Sequence, residues 1–188
     1  MGAVIYSMGM SIDGFVAGPS GEIDWTMPDE ELHQFHNDRV RDLSAHLCGR
    51  RLYQEMLYWE TADQDPDAGP IEVDFAQIWQ ALPKVVFSNT LSAVEGNSRL
   101  ATADPAAELD ALRRTEAGEG DIEVGGAGLA SQFARLGLID EYQVFVYPVV
   151  LGGGTPFFPR DLDARIELEL VETRTFSSRV TYLRYRRA

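Results

Sequence analysis

Residues 121–158, DIEVGGAGLASQFARLGLIDEYQVFVYPVVLGGGTPFF, constrain the fold of this chain more than any other stretch. A short strand-forming run ending at Val124 meets the cluster Gly125-Gly126-Ala127-Gly128. Leu129, Phe133, Leu136 and Leu138 then recur close to helical spacing. A strand, a tight glycine turn and a helix, in that order, point unpaired backbone N–H groups at one spot. Such a spot favours a phosphate, because the free amides and the helix dipole both attract an anion. Glycine serves there because a Cβ would hold a ligand off the backbone. An ordinary loop that enters a helix through glycine uses the same residues, so the turn alone does not decide the matter. Residues 140–150 follow as a second apolar strand, closed by Pro148 and by Gly152-Gly153-Gly154-Thr155-Pro156-Phe157-Phe158.

The rest of the chain alternates strands with helices. Residues 3–10 read as the first strand, before Asp13-Gly14 and a Pro19-Ser20-Gly21 turn. Pro28-Asp29-Glu30-Glu31 opens a helix, with acids in the first turn where the dipole favours them. That helix is expected to reach residue 45 and to bury Leu32, Phe35, Val40 and Leu43. A strand over 46–48 leads through Gly49-Arg50-Arg51 into a helix ending near Tyr58. The acidic stretch 61–70 reads as a surface loop, 73–82 as a helix, and 84–88 as a strand ending in Ser88-Asn89-Thr90. After a candidate strand over 98–102, Asp104-Pro105 opens a helix as N-cap and first-turn proline, and the helix closes before Gly118-Glu119-Gly120. Segments 167–176 and 179–186 pair as antiparallel strands about Ser177-Ser178. The pattern is one α/β domain over residues 1–188, its sheet mostly parallel with a C-terminal antiparallel hairpin.

A chain of 188 residues with 45% hydrophobic content suits a single core. Sixteen cations against 30 acids leave a formal charge of −14, which argues against nucleic acid or an anionic membrane as partner. An anionic cofactor stays open, because its binding follows the local field. Cys48 is alone, so an internal disulfide and a Cys-rich metal site are excluded. His33 and His36 share a helix face with Asp29, but no third ligand presents itself and no metal is expected. No apolar stretch approaches the ~20 residues that span a bilayer. Residues 1–10 lack the basic start and length of a secretory leader, so a cytoplasmic location is expected.

In sheets of this kind, ligands sit at the carboxyl ends of the strands. Three such ends carry suitable groups: Gly49-Arg50-Arg51, Ser88-Asn89-Thr90 and Gly125-Gly126-Ala127-Gly128-Leu129. Arginine binds phosphate bidentately, and the short side chains of Ser88, Asn89 and Thr90 add donors. An arginine pair by itself suits a solvated helix face equally well.

The run Pro148-Val149-Val150-Leu151-Gly152-Gly153-Gly154-Thr155-Pro156-Phe157-Phe158, with the glycine turn before it, resembles a known pattern. It is the P-x-x-L-G-x-G-x-P-x-F stretch in the reductase domain of the bifunctional deaminase-reductase of riboflavin biosynthesis. That domain is a member of the dihydrofolate-reductase-like superfamily. The resemblance implies a three-layer α/β sandwich that holds NADPH at the three stations, with Ala17 and Leu129 contributing. It also implies a homodimer paired through the sheet region that includes 140–150, and a cis peptide between Gly125 and Gly126. The reaction implied is reduction of 5-amino-6-(5-phosphoribosylamino)uracil, or hydride transfer to another small heterocyclic or imine/carbonyl substrate. Pterin reduction of the dihydrofolate reductase type, and a nucleotide-binding dimer without turnover, are the alternatives. The zinc-dependent deaminase half is absent, since no H-x-E pairs with P-C-x-x-C.

Site residues follow from the same resemblance. Met10-Ser11-Ile12-Asp13-Gly14 resembles the family motif S-L-D-G-K, which implies Asp13 beside substrate and nicotinamide as a proton relay. Asp-Gly is equally a plain turn former. Phe15 takes the place of the family lysine and Leu52 that of the threonine in the Gly-Arg-Arg-Thr turn, so a substrate-phosphate cation and a phosphate-touching hydroxyl are missing. Ile23-Asp24-Trp25-Thr26-Met27-Pro28 resembles the Leu-Pro-Trp-x-Leu-Pro segment of dihydrofolate reductase. This implies a planar-ring pocket shaped by Trp25 and a catalytic acid at Glu31, or at Glu30 if Pro28 sets the register. A packing aromatic and a solvated first-turn acid account for the same residues.

Overall fold

The computed structural model describes residues 2–115 and 119–188; Gly118 of the turn expected after the helix at Pro105 lies outside them. Its centre is an eight-stranded sheet in the order β5-β4-β3-β6-β1-β7-β10-β9. The strands are β1 (Val4–Ser11), β3 (Leu43–Gly49), β4 (Lys84–Phe87), β5 (Ser98–Leu100), β6 (Asp121–Gly125), β7 (Glu141–Tyr147), β9 (Leu168–Thr175) and β10 (Thr181–Arg187). From β5 to β7 all neighbours are parallel, and β10 alone runs against both of its neighbours. The central strands are apolar on both faces, as a sheet covered on both sides requires. Val4, Tyr6, Leu47, Val124 and Val144 pack on one face against Leu129 and Phe133. Ile5, Cys48 and Val86 pack on the other against Val40, Phe75 and Trp79. Two short strands missed in the sequence, β2 (Phe15–Ala17) and β8 (Thr155–Pro156), form a separate antiparallel pair.

The helices begin where their caps dictate. Asp29 accepts the Leu32 N–H at 2.9 Å to start α1 (Glu30–Arg41), and Asp104 accepts the Ala107 N–H at 3.0 Å to start α4 (Pro105–Arg113). Each such cap contributes about 1 kcal/mol. The helix α1 stops at Arg41 rather than at residue 45, because Leu43 and Ala45 are taken into β3 beside β6. The helix α3 (Pro70–Ala81) starts three residues earlier than expected, with the Glu72 carboxylate accepting the Gly69 N–H at 2.6 Å. The helix α2 (Arg50–Met56) gives way to a 3-10 turn over Leu57–Glu60, and α5 (Ala127–Arg135) follows the glycine turn. Strand β7 ends at Tyr147, before Pro148, and lies inside the sheet between β1 and β10.

A buried ion cluster braces α1 against the sheet. Arg39 of α1 pairs with Glu123 of β6, and His46 of β3 lies 3.4 Å from the same carboxylate and 3.1 Å from the Cys48 sulfur. Burial alone would raise the Glu123 carboxyl, but the Arg39 charge and the His46 contact outweigh it and hold it at about 2. Burial likewise opposes the His46 charge, yet Cys48 and Glu123 bring its pKa up to about 10.

Candidate functional site

The sheet order sets the carboxyl ends of β5, β4, β3 and β6 side by side, so the three sequence stations meet at one edge. Gly49 and Gly126 touch backbone to backbone: a Cβ on Gly126 would lie 3.5 Å from the Gly49 Cα. The chain reverses at Gly126 with φ 93° and ψ 119°, a conformation that glycine adopts at little cost. All peptide bonds among the described residues are trans, Gly125–Gly126 included. The expected cis bond is therefore corrected, because the positive φ of Gly126 already supplies the turn. Leu52, in place of the expected threonine, packs its side chain over this turn, where a Cβ on Gly125 would come within 2.2 Å of it.

The first intrahelical bond of α5 is Ala130 N–H to the Gly126 carbonyl at 3.0 Å. The amides of Ala127, Gly128 and Leu129 precede it and have no acceptor in the helix. Gly128 is exposed, and a Cβ placed on it would meet nothing within 4 Å. The Ala127 and Leu129 side chains are buried in the core and leave only their backbone for binding.

A cleft of about 470 Å³ opens beside these turns. Phe87, Ala101, Ala103 and Pro105 form its apolar part, and Arg50, Ser88, Asn89, Thr90, Asp104 and Gln132 its polar part. Ser88 Oγ accepts the Thr90 and Leu91 amides at 3.1 and 3.0 Å, which folds the strand end into a tight turn, and Arg50 donates to Thr90 Oγ1 at 3.4 Å. Arg51 is exposed on α2 outside the cleft. Asp104 and Gln132 were not singled out as ligand groups in the sequence; Asp104 shows there only as a helix cap.

The expected catalytic residues lie farther along the same edge. Asp13 accepts the Leu151 and Gly152 amides at 3.1 and 2.7 Å. Hydrogen bonds from the Ser11 hydroxyl and these amides hold its carboxyl below the usual range. Glu31 accepts the Ser177 amide at 2.9 Å and Arg174 at 2.8 Å, which lowers its pKa to about 2 and ties α1 to the β9–β10 turn. Ala17 pairs with Thr155, and its carbonyl lies where a Cβ on Gly154 would be, 2.0 Å away. Trp25 packs edge-on to Tyr147 at 5.5 Å, and its indole N–H is buried without a partner among the described residues. Tyr147 donates to the Thr26 carbonyl at 3.0 Å, and burial pushes its pKa up to about 12. Phe15 carries the Arg160 guanidinium 5.5 Å over its ring, a cation that comes from a distant loop and that no local motif shows. No group of three or more metal-ligating side chains occurs among the described residues.

The RibD C-terminal domain pattern matches residues 3–182. The chain belongs to this family. It is 31% identical over 182 residues to the uncharacterized protein YyaP of Bacillus subtilis (strain 168), covering 97% of this chain and 93% of that one. It is 32% identical over 158 residues to the riboflavin biosynthesis protein RibD of Corynebacterium ammoniagenes, covering 80% of this chain and 44% of that protein. The crystal structure of a Shewanella sp. PV-4 protein assigned to riboflavin biosynthesis superimposes with a TM-score of 0.77 at 22% identity, covering 99% of both chains. The RibD C-terminal domain thus has the reductase-like α/β fold implied by the glycine motifs, and no helix among the described residues is long and apolar enough to cross a membrane.

Proposed function

We propose that this RibD-family chain is an NADPH-dependent reductase of the riboflavin-biosynthesis type. One observation carries the reading: Arg50 and Ser88–Thr90 line a single cleft together with Gln132 of α5, next to the turn where Gly49 and Gly126 approach each other. The apolar part suits the adenine ring, and the Gly49–Gly126 approach and the α5 amides suit the pyrophosphate. When bound, NADPH supplies the hydride. This chain then orients the acceptor, a small heterocycle or imine/carbonyl compound between the ends of β1 and β7. The buried Trp25 N–H donates to it, and Trp25 and Tyr147 give it an aromatic wall. Asp13 acts by fixing the 151–152 turn beside the pocket, and Arg160 over Phe15 offers a cation to a substrate anion. The proposal includes a homodimer, supported by the apolar residues Leu170 and Val171 exposed on the edge strand β9.

The test is NADPH oxidation by the purified protein with 5-amino-6-(5-phosphoribosylamino)uracil and, separately, with dihydrofolate. Consumption with the pyrimidine supports the riboflavin-type assignment, and consumption with dihydrofolate alone moves the protein to pterin reduction. No consumption with either, or with simpler pyrimidine and imine acceptors, contradicts a reductase.

A further inference from the structure

The cleft at the ends of β4 and β5 carries two charged side chains of opposite sign, and neither neutralises the other. Arg50 donates to the Thr90 hydroxyl, while Asp104 spends Oδ1 on the Ala107 amide and leaves Oδ2 without a partner among the described residues. The segment leading to Asp104 is held in place. The buried Glu108 carboxylate accepts the Thr102 and Ala103 amides and the Arg99 guanidinium, and these contacts keep it at about 2 against the upward pull of burial. Asp104 therefore presents a fixed carboxylate to whatever fills the cleft.

A carboxylate accepts hydrogen bonds from a ribose diol and repels a phosphate in the same place, whereas a guanidinium favours the phosphate. We propose that Asp104 is a specificity-determining residue of this cleft: it offsets Arg50, favours a free ribose diol, and leaves the protein able to bind NADH as well as NADPH. The inference rests on the dinucleotide reading above. The apolar part of the cleft grips an adenine common to both nucleotides, so Asp104 alters the choice between them rather than binding as such.

The experiment is a titration of the purified protein with NADPH and with NADH, followed by quenching of tryptophan emission, in wild type, Asp104→Asn and Arg50→Gln. Asparagine keeps the helix cap and removes only the charge; Asp104→Ser, also a good cap, serves as the second variant. The wild type is expected to bind both nucleotides. Asp104→Asn should shift the NADPH-over-NADH ratio toward NADPH by about fivefold, the upper range for an exposed charge pair, and Arg50→Gln should shift it toward NADH. An unchanged ratio in both Asp104 variants, with both nucleotides still bound, overturns the role of Asp104 and leaves the dinucleotide reading standing. Failure of the wild type to bind either nucleotide overturns both.

Discussion

Two glycines two residues apart at the start of α5 should respond to alanine in opposite directions, because the fold needs them for different reasons. At Gly126 an added Cβ would have room, its nearest neighbour being the Gly49 Cα at 3.5 Å. The obstacle is the backbone, held at φ 93°. A non-glycine residue in so sparsely populated a region costs about 1–3 kcal/mol. In a domain of this size each kcal/mol is worth about 2–4 °C, so Gly126→Ala should lower Tm by about 2–12 °C. At Gly128 the backbone is helical and an added Cβ meets nothing within 4 Å. Removing glycine from a helix gains about 0.5–1 kcal/mol, so Gly128→Ala should melt slightly higher than wild type. On the proposed placement of the phosphates at the α5 amides, its methyl group would crowd them. Both variants should therefore bind NADPH more weakly, the first with lost stability and the second without. Thermal melts and nucleotide titrations on the two proteins measure this directly. A Gly126→Ala variant that melts like wild type would refute the backbone argument. Undiminished NADPH affinity in Gly128→Ala would refute the placement of the phosphates.

Glu123→Gln should cost about 3–5 kcal/mol, since it leaves Arg39 and His46 buried without their carboxylate. The Glu123 contribution is present above 4.5 and is lost as pH falls toward 2, while that of His46 is present below 6.5 and is lost as pH rises through about 10. The Tm gap between wild type and variant should thus be widest between pH 4.5 and 6.5, and a gap independent of pH would contradict the ionised cluster. Lys84 is 2% exposed, with Nζ 3.1 Å from the Leu82 carbonyl and 3.3 Å from Glu60. Mass spectrometry after brief treatment with an amine-acylating reagent should find Lys84 unmodified in the folded protein and modified after denaturation. Because the Asp13 carboxyl is held low, the rate–pH profile should show no Asp13 limb near neutrality. A neutral limb abolished by Asp13→Asn would restore Asp13 as a proton relay.

What was legible in the sequence is what rests on neighbouring residues. Gly125-Gly126, Asp104-Pro105 and Asp29 announce a turn and two helix starts because conformation and capping are local matters, and the observed elements begin there. The sequence does not mark the end of α1, because Leu43 continues the helical spacing from Val40 while Leu43 and Ala45 alternate as a strand does; only pairing with β6 decides between them. The strands β2 and β8 are too short for a periodic signal and join residues 15–17 to 155–156. The same holds for the site. The three strand ends proposed to hold phosphate could be located because each is followed by a glycine or by hydroxyl residues, and the sheet order sets them at one edge. The Asp13 bond to Gly152 spans 139 residues, and neither the Arg160 cation over Phe15 nor the clamp of Glu31 on Ser177 leaves a local trace.

The central claim is that these stations form one dinucleotide site, and a titration of tryptophan fluorescence with NADPH tests it most directly. The account predicts saturable binding at micromolar concentration in the wild type, weakened about tenfold or more in Arg50→Ala by loss of a charged phosphate contact. Gly126→Val should weaken it as well, through the backbone of the turn. Absence of saturable binding, or equal binding by all three proteins, would contradict it and leave the glycine turns a purely structural role.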